Sequence, residues 1–178
     1  MIELCKKCFE SKSIGSFFCD QAESGKHLTG YVAAYNNDEL LIKHISPNGY
    51  YDGFILIHIS DLFRIDIAGQ YEQKITTLYM LREQNHPNIN CAGECILFGL
   101  MEFAQNNQLI VSLELDDCVL SGFVQSFSED HVHLAVLDEY GRTDGDTYLL
   151  SDEILSVALD TSTEQNIKLL NSHTYTSK

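Results

Sequence analysis

Residues 28–78 match residues 120–170 without a gap, at a constant offset of 92. Eleven pairs are identical: Leu28/Leu120, Gly30/Gly122, Val32/Val124, Asp38/Asp130, Gly49/Gly141, Asp52/Asp144, Gly53/Gly145, Glu72/Glu164, Gln73/Gln165, Ile75/Ile167 and Leu78/Leu170. Ordinary composition gives about three matches over such a stretch. Other pairs keep their character, among them Tyr31/Phe123, Tyr35/Phe127, Ile42/Leu134 and Ile65/Val157. A self-match of this period means that one structural unit was used twice. Both copies kept glycines, apolar positions and a helix start, and little that does chemistry.

The 178 residues, 44% of them hydrophobic, divide into two units of about ninety residues, 1–88 and 89–178. No apolar run reaches the ~18 residues of a membrane span, and Met1 opens no signal-peptide pattern. The expectation is a cytoplasmic protein with no membrane contact. Its six cysteines are then reduced thiols. Cys5-x-x-Cys8 and Cys91-x-x-x-Cys95 have the look of a split zinc site, but Ile2, Cys5, Cys8 and Phe9 share one helical face, as do Cys91, Cys95 and Phe98. Buried thiols behave as small hydrophobes there. No cofactor is expected.

Net charge is −15 and unevenly spread. Residues 1–88 carry 8 Lys/Arg against 11 Asp/Glu, a balance of −3, and residues 89–178 carry 3 against 15, a balance of −12. Nucleic-acid affinity comes largely from basic side chains that displace counterions from phosphates. The second half hardly offers them. Charge therefore favours a protein partner, and it disfavours RNA.

Pattern predicts a helix over 2–12, then strands at about 16–21, 27–35, 39–45, 53–59 and 62–67, then a helix over 71–84. His86-Pro87-Asn88 breaks that helix. The second copy repeats the plan: a helix over 91–105, strands at about 109–115, 119–127, 131–137, 145–150 and 154–159, and a last helix. Thr161-Ser162-Thr163-Glu164 has the form of a capping box. Neither copy contains a βαβ unit, so the sheets are expected to be antiparallel.

A helix followed by five bent strands resembles the Sm-like superfamily, a small SH3-like barrel. Thr29-Gly30-Tyr31-Val32-Ala33-Ala34-Tyr35 and Ser121-Gly122-Phe123-Val124-Gln125-Ser126-Phe127 are similar to its first motif, with a glycine at the bend of strand two. The segments 55–65 and 147–157 are similar to its second, a strand, sharp turn and final strand. The resemblance implies a mainly β chain with flanking helices, built as two tandem Sm-like five-stranded antiparallel barrels. It also implies homo-oligomerisation, strand four of one barrel pairing with strand five of the next. Six barrels in a ring would take three chains; a dimer is simpler. The family's uridine site departs from its pattern here. Its Asn positions are Leu40 and Val132, and its Arg-Gly pairs are His58-Ile59 and Leu150-Ser151.

The function expected is a non-enzymatic interaction, assembly or regulatory module. RNA binding or regulation through the first repeat is the alternative, using Lys6, Lys7, Lys12, Lys26, Lys43 and Arg64. Candidate RNA or partner contacts are Lys43, Tyr50, Tyr51, His58 and Arg64. Tyr50 and Tyr51 flank a turn where aromatics can dock a protein or stack on bases. His131 and His133 point to one strand face and form a weak metal candidate that lacks a third ligand. No phosphate loop, nucleophile elbow or metalloprotease helix occurs, so no catalytic residue is assigned.

Overall fold

The structure is a computed structural model that describes residues 1–91 and 95–176. It is mainly antiparallel β, with four helices. The first half runs α1 (Ile2–Ser11), β1 (Ile14–Phe18), β2 (Leu28–Tyr35), β3 (Glu39–Ile45), β4 (Tyr51–His58), β5 (Arg64–Ile67) and α2 (Gln70–Leu81). The second half runs α3 (Ile96–Asn106), β6 (Ile110–Glu114), β7 (Val119–Phe127), β8 (His131–Leu137), β9 (Thr143–Leu150), β10 (Ser156–Leu159) and α4 (Ser162–Thr176). The ten strands form one sheet in the order β5-β1-β2-β3-β4-β10-β6-β7-β8-β9. Each half thus places its fifth strand beside its first, and β4 pairs with β10 to join them. No described helix is long and apolar enough to cross a membrane.

The identical residues of the repeat explain the bends. Register shifts fall between Val32 and Ala34 and between Val124 and Ser126, the same place in each half. A second pair falls at Lys43/Ile45 and Ala135/Leu137. Such bulges increase local twist and curl a sheet. Gly30 and Gly122 sit beside these bends because the backbones approach too closely for a side chain. A Cβ on Gly30 would meet the Lys43 carbonyl oxygen at 2.0 Å, and one on Gly122 would meet that of Ala135 at 2.3 Å.

The other retained identity is a buried carboxylate. Glu72 of α2 accepts from Ser16 Oγ on β1, and Glu164 of α4 accepts from Ser112 Oγ on β6. Each bond ties the last helix of a half to its first strand. Glu164 also takes Thr161 N–H at 2.8 Å and the Thr161 hydroxyl, while Thr163 N–H reaches Thr161 Oγ1 at 3.3 Å. This is the reciprocal cap that Thr161 and Glu164 predict.

One apolar cluster crosses the junction. Leu41, Phe54 and Leu56 of the first half pack with Leu100, Met101, Val111, Leu113 and Val157 of the second. Burying that much apolar surface is the main force holding the halves together. A separate cluster holds α1 against the first half, with Cys5 and Cys8 beside Phe17, Leu40 and Ile42. Burial pushes the Cys5 thiol up to about 11 and raises Cys8 as well. Buried among apolar side chains, both thiols pack as small hydrophobes.

Several boundaries differ from the sequence expectation; α2, for one, ends at Leu81 rather than near residue 84. β1 ends at Phe18, because Asp20 Oδ1 accepts from the amides of Ala22 and Glu23 and turns the chain. The strand expected from Leu62 starts at Arg64, after a 3-10 turn over Ile59–Asp61. Helix α3 begins at Ile96, so Cys91 and Cys95 lie outside it. Residues 92–94, part of the helix expected there, lie outside the described residues.

Candidate functional site

The junction of the halves is built by polar contacts as well as by β4 and β10. Glu39, the first residue of β3, sends its carboxylate to the start of α3. Oε2 accepts from Ile96 N–H at 2.8 Å and Oε1 from Leu97 N–H at 3.2 Å. An anion at a helix N-terminus satisfies orphan amides and complements the dipole. This contact also explains where α3 begins. Tyr51 Oη donates to Asp160 Oδ2 at 2.7 Å. Burial, then the Asp160 bond, raises the Tyr51 hydroxyl far above its ordinary value, so it remains a donor. Asp52 Oδ1 accepts from Ser162 N–H at 2.7 Å and thereby caps α4. Burial acts to raise the Asp52 carboxyl, but His44 and the Ser162 amide outweigh it and hold it below the usual range.

Beside this seam lies a cleft of about 500 Å³, to which both halves contribute. Its floor is apolar, with Met101, Phe127, Val132 and Val157. Its rim carries Asp38, Glu39, Glu129 and Asp152, and no lysine or arginine lines it. His58 closes one end, its Nε2 3.1 Å from the Ile154 carbonyl oxygen. That nitrogen therefore carries the proton. Ser151 Oγ is buried here with no hydrogen-bond partner. Ser128 Oγ of this cleft bonds His131 Nδ1 at 2.8 Å, and the field of the rim favours a cation over a phosphate. Leu40 and Val132 are buried in the core, at 0% and 1% exposure.

The structure distributes the sequence candidates over several places. His58 reaches the junction cleft. Tyr51 is consumed by the Asp160 bond, and its ring packs 4.6 Å from His86. Tyr50 is exposed, with the Arg82 guanidinium 4.2 Å above its ring. Arg64 lies over Phe18 at 4.4 Å and bonds Asp66 on the same strand, Nε to Oδ1 at 2.8 Å. Lys43 faces a different cleft, beside α1 and α2. His131 Nδ1 bonds Ser128 Oγ at 2.8 Å. His133 stacks on Tyr148 and bonds Asp146 Oδ1 at 3.0 Å. No three His, Cys, Asp or Glu side chains converge as a metal site among the described residues.

Sequence reasoning missed Glu39, Asp160 and His86. Glu39 looks like an ordinary strand residue after a turn, since its partners lie 57 and 58 positions away. The pair Asp52/Asp144 offered a signal for the helix cap, but a turn role accounts for an Asp-Gly pair equally well.

The sequence matches no protein-family model, and comparisons with curated proteins and with solved structures find no match.

Proposed function

We propose that this chain is a non-enzymatic assembly module of two tandem Sm-like barrels, which extends head to tail through its free sheet edges. The repeated strand order, the duplicated bulges and the β4–β10 seam support that reading. So do the buried apolar residues at the base-holding positions and the acidic cleft, which count against a nucleotide there.

At the inner seam, Gly53 has φ +69°, and a Cβ there would meet the Leu159 carbonyl oxygen at 2.2 Å. At the outer edge, Gly145 keeps φ +87° although nothing stands within 4 Å. Asp52 caps α4, while its counterpart Asp144 has no hydrogen-bond partner among the described residues. At the opposite end of the sheet, the N-cap of α2 is Gly69, which has no side chain to cap with. The outer edge β9 therefore retains the shape of an occupied one, and β5 with α2 offers the matching surface. Transposing the inner register by the repeat offset places Arg64 opposite Leu149 and Ile67 opposite Asp146, with Asp144 capping Gln70 N–H of a second copy. Exposed Tyr148 and Leu150, at 68% and 59%, become buried by that pairing.

Hydrogen exchange tests this at the edges. Amides of β9 and β5 are expected to be protected at high protein concentration and to exchange quickly after dilution. Concentration-independent exchange in both strands refutes the pairing. Six unbridged thiols suit a reducing compartment such as the cytoplasm.

A further inference from the structure

A second cleft, of about 610 Å³, lies in the first half between the end of α1, strands β2 and β3, and α2. Lys43 reaches into it from the middle of β3, flanked across the sheet by Tyr31 and Phe54. Its ammonium is half-buried, and burial lowers its pKa. No carboxylate lies within ion-pair distance of it among the described residues. A cation taken partly out of water without a partner is unfavourable. Lys12, just past α1, adds a second cation to the rim, and Glu10 offsets one of the two charges.

The wall behind Lys43 is fixed. His86 is 4% exposed, and its Nε2 lies 2.8 Å from the His44 carbonyl oxygen and 3.1 Å from that of Gly53. Two acceptors require Nε2–H, so Nδ1 accepts from the Tyr79 hydroxyl at 2.7 Å. Burial brings His86 down to about 4, so it is neutral and adds no charge. Phe9 and Tyr31 line the same cleft as the two lysines.

The repeat provides an internal control. The corresponding cleft of the second half, about 420 Å³, is lined by Phe123, Val124 and Gln125 at the positions of Tyr31, Val32 and Ala33. The repeat offset puts Ala135 at the position of Lys43, and it does not line this cleft. Gln108 replaces Lys12, each in the left-handed conformation after its helix, φ 50° and 49°. The second half folds with alanine and glutamine at these positions, so the fold does not require either lysine. We propose that the first-half cleft binds a small planar molecule bearing a phosphate monoester, with Lys43 as the counter-charge and Phe9 and Tyr31 against the ring. A lysine serves phosphate as a point charge, and an aromatic wall suits a planar body. This site is independent of the assembly reading.

Phenyl phosphate is a suitable probe, titrated against the full chain by calorimetry and by amide NMR, with inorganic phosphate and benzoate in parallel. Wild type is expected to bind phenyl phosphate at least about tenfold more tightly than Lys43→Met, with shifts confined to residues around Lys43, Tyr31 and Tyr79. Lys43→Arg, which keeps the charge, is expected to retain most of the affinity, and unchanged circular dichroism shows that the variants fold. Equal affinity of Lys43→Met and wild type, shifts centred on Phe123 and Gln125, or no binding at millimolar probe overturns the proposal. Tight binding of oligo-A or oligo-U that Lys43→Met abolishes assigns the lysine to nucleic acid and overturns it equally.

Discussion

Gly53 and Gly145 are one residue used twice, and substituting each with alanine separates backbone strain from packing at the seam. Both lie in the left-handed region, at φ +69° and +87°. An alanine there costs about 1 kcal/mol at either position. Only at Gly53 does the new methyl collide, with the Leu159 carbonyl oxygen at 2.2 Å and with Asp160 backbone atoms at 2.5 and 2.6 Å. Relief requires β4 and β10 to part by about an ångström, which disturbs the pairing of residues 54–57 with 156–159. Overpacking of this kind adds about 1–3 kcal/mol. Gly53→Ala is therefore expected to destabilise the chain by about 3 kcal/mol and Gly145→Ala by about 1 kcal/mol. For a chain of this size these are Tm losses of roughly 9 °C and 3 °C. Urea denaturation at a concentration where light scattering shows single chains gives both values. Equal losses would refute the claim that β4 meets β10 at this glycine.

Glu39→Ala removes the cap that the first half gives to α3, and it is expected to cost about 1–2 kcal/mol and to speed exchange of the Ile96 and Leu97 amides; unchanged exchange contradicts the contact. Glu164→Ala is expected to cost more than Glu72→Ala, because Glu164 holds Ser112 and both Thr161 groups while Glu72 holds Ser16; parallel denaturation of the two variants compares them. His86 titrates at about 4 in the fold and near 6.5 unfolded. Between those values the unfolded chain binds a proton that the folded chain refuses. Stability from this group is thus complete above pH 6.5 and is lost as pH falls toward 4, by about 3 kcal/mol at most. His86→Gln is expected to flatten that part of the pH–stability curve, and a curve parallel to wild type shows that His86 is not buried as described.

Much of the fold is legible because both copies report it. The strands Glu39–Ile45, Val119–Phe127 and His131–Leu137 fall where alternation and turn residues place them. The Thr161–Glu164 cap is legible because its partners are three residues apart. What escaped was set by distant chain. The start of α3 depends on Glu39, and Tyr51 is withdrawn from the surface by Asp160, 109 positions away. His86 reads as part of a helix breaker, yet it is a buried hub whose acceptors come from β3 and β4. A periodic pattern reports which face is apolar; it does not report which polar groups meet across a sheet of ten strands.

Head-to-tail assembly requires the outer edge β9 to accept β5 of another copy as β4 accepts β10. Light scattering on wild type and Gly145→Val over a hundredfold dilution range tests it most directly. Wild type is expected to show an integral multiple of 20.1 kDa that falls on dilution, and the valine variant to stay at one chain throughout. A wild-type mass of one chain at every concentration contradicts head-to-tail pairing.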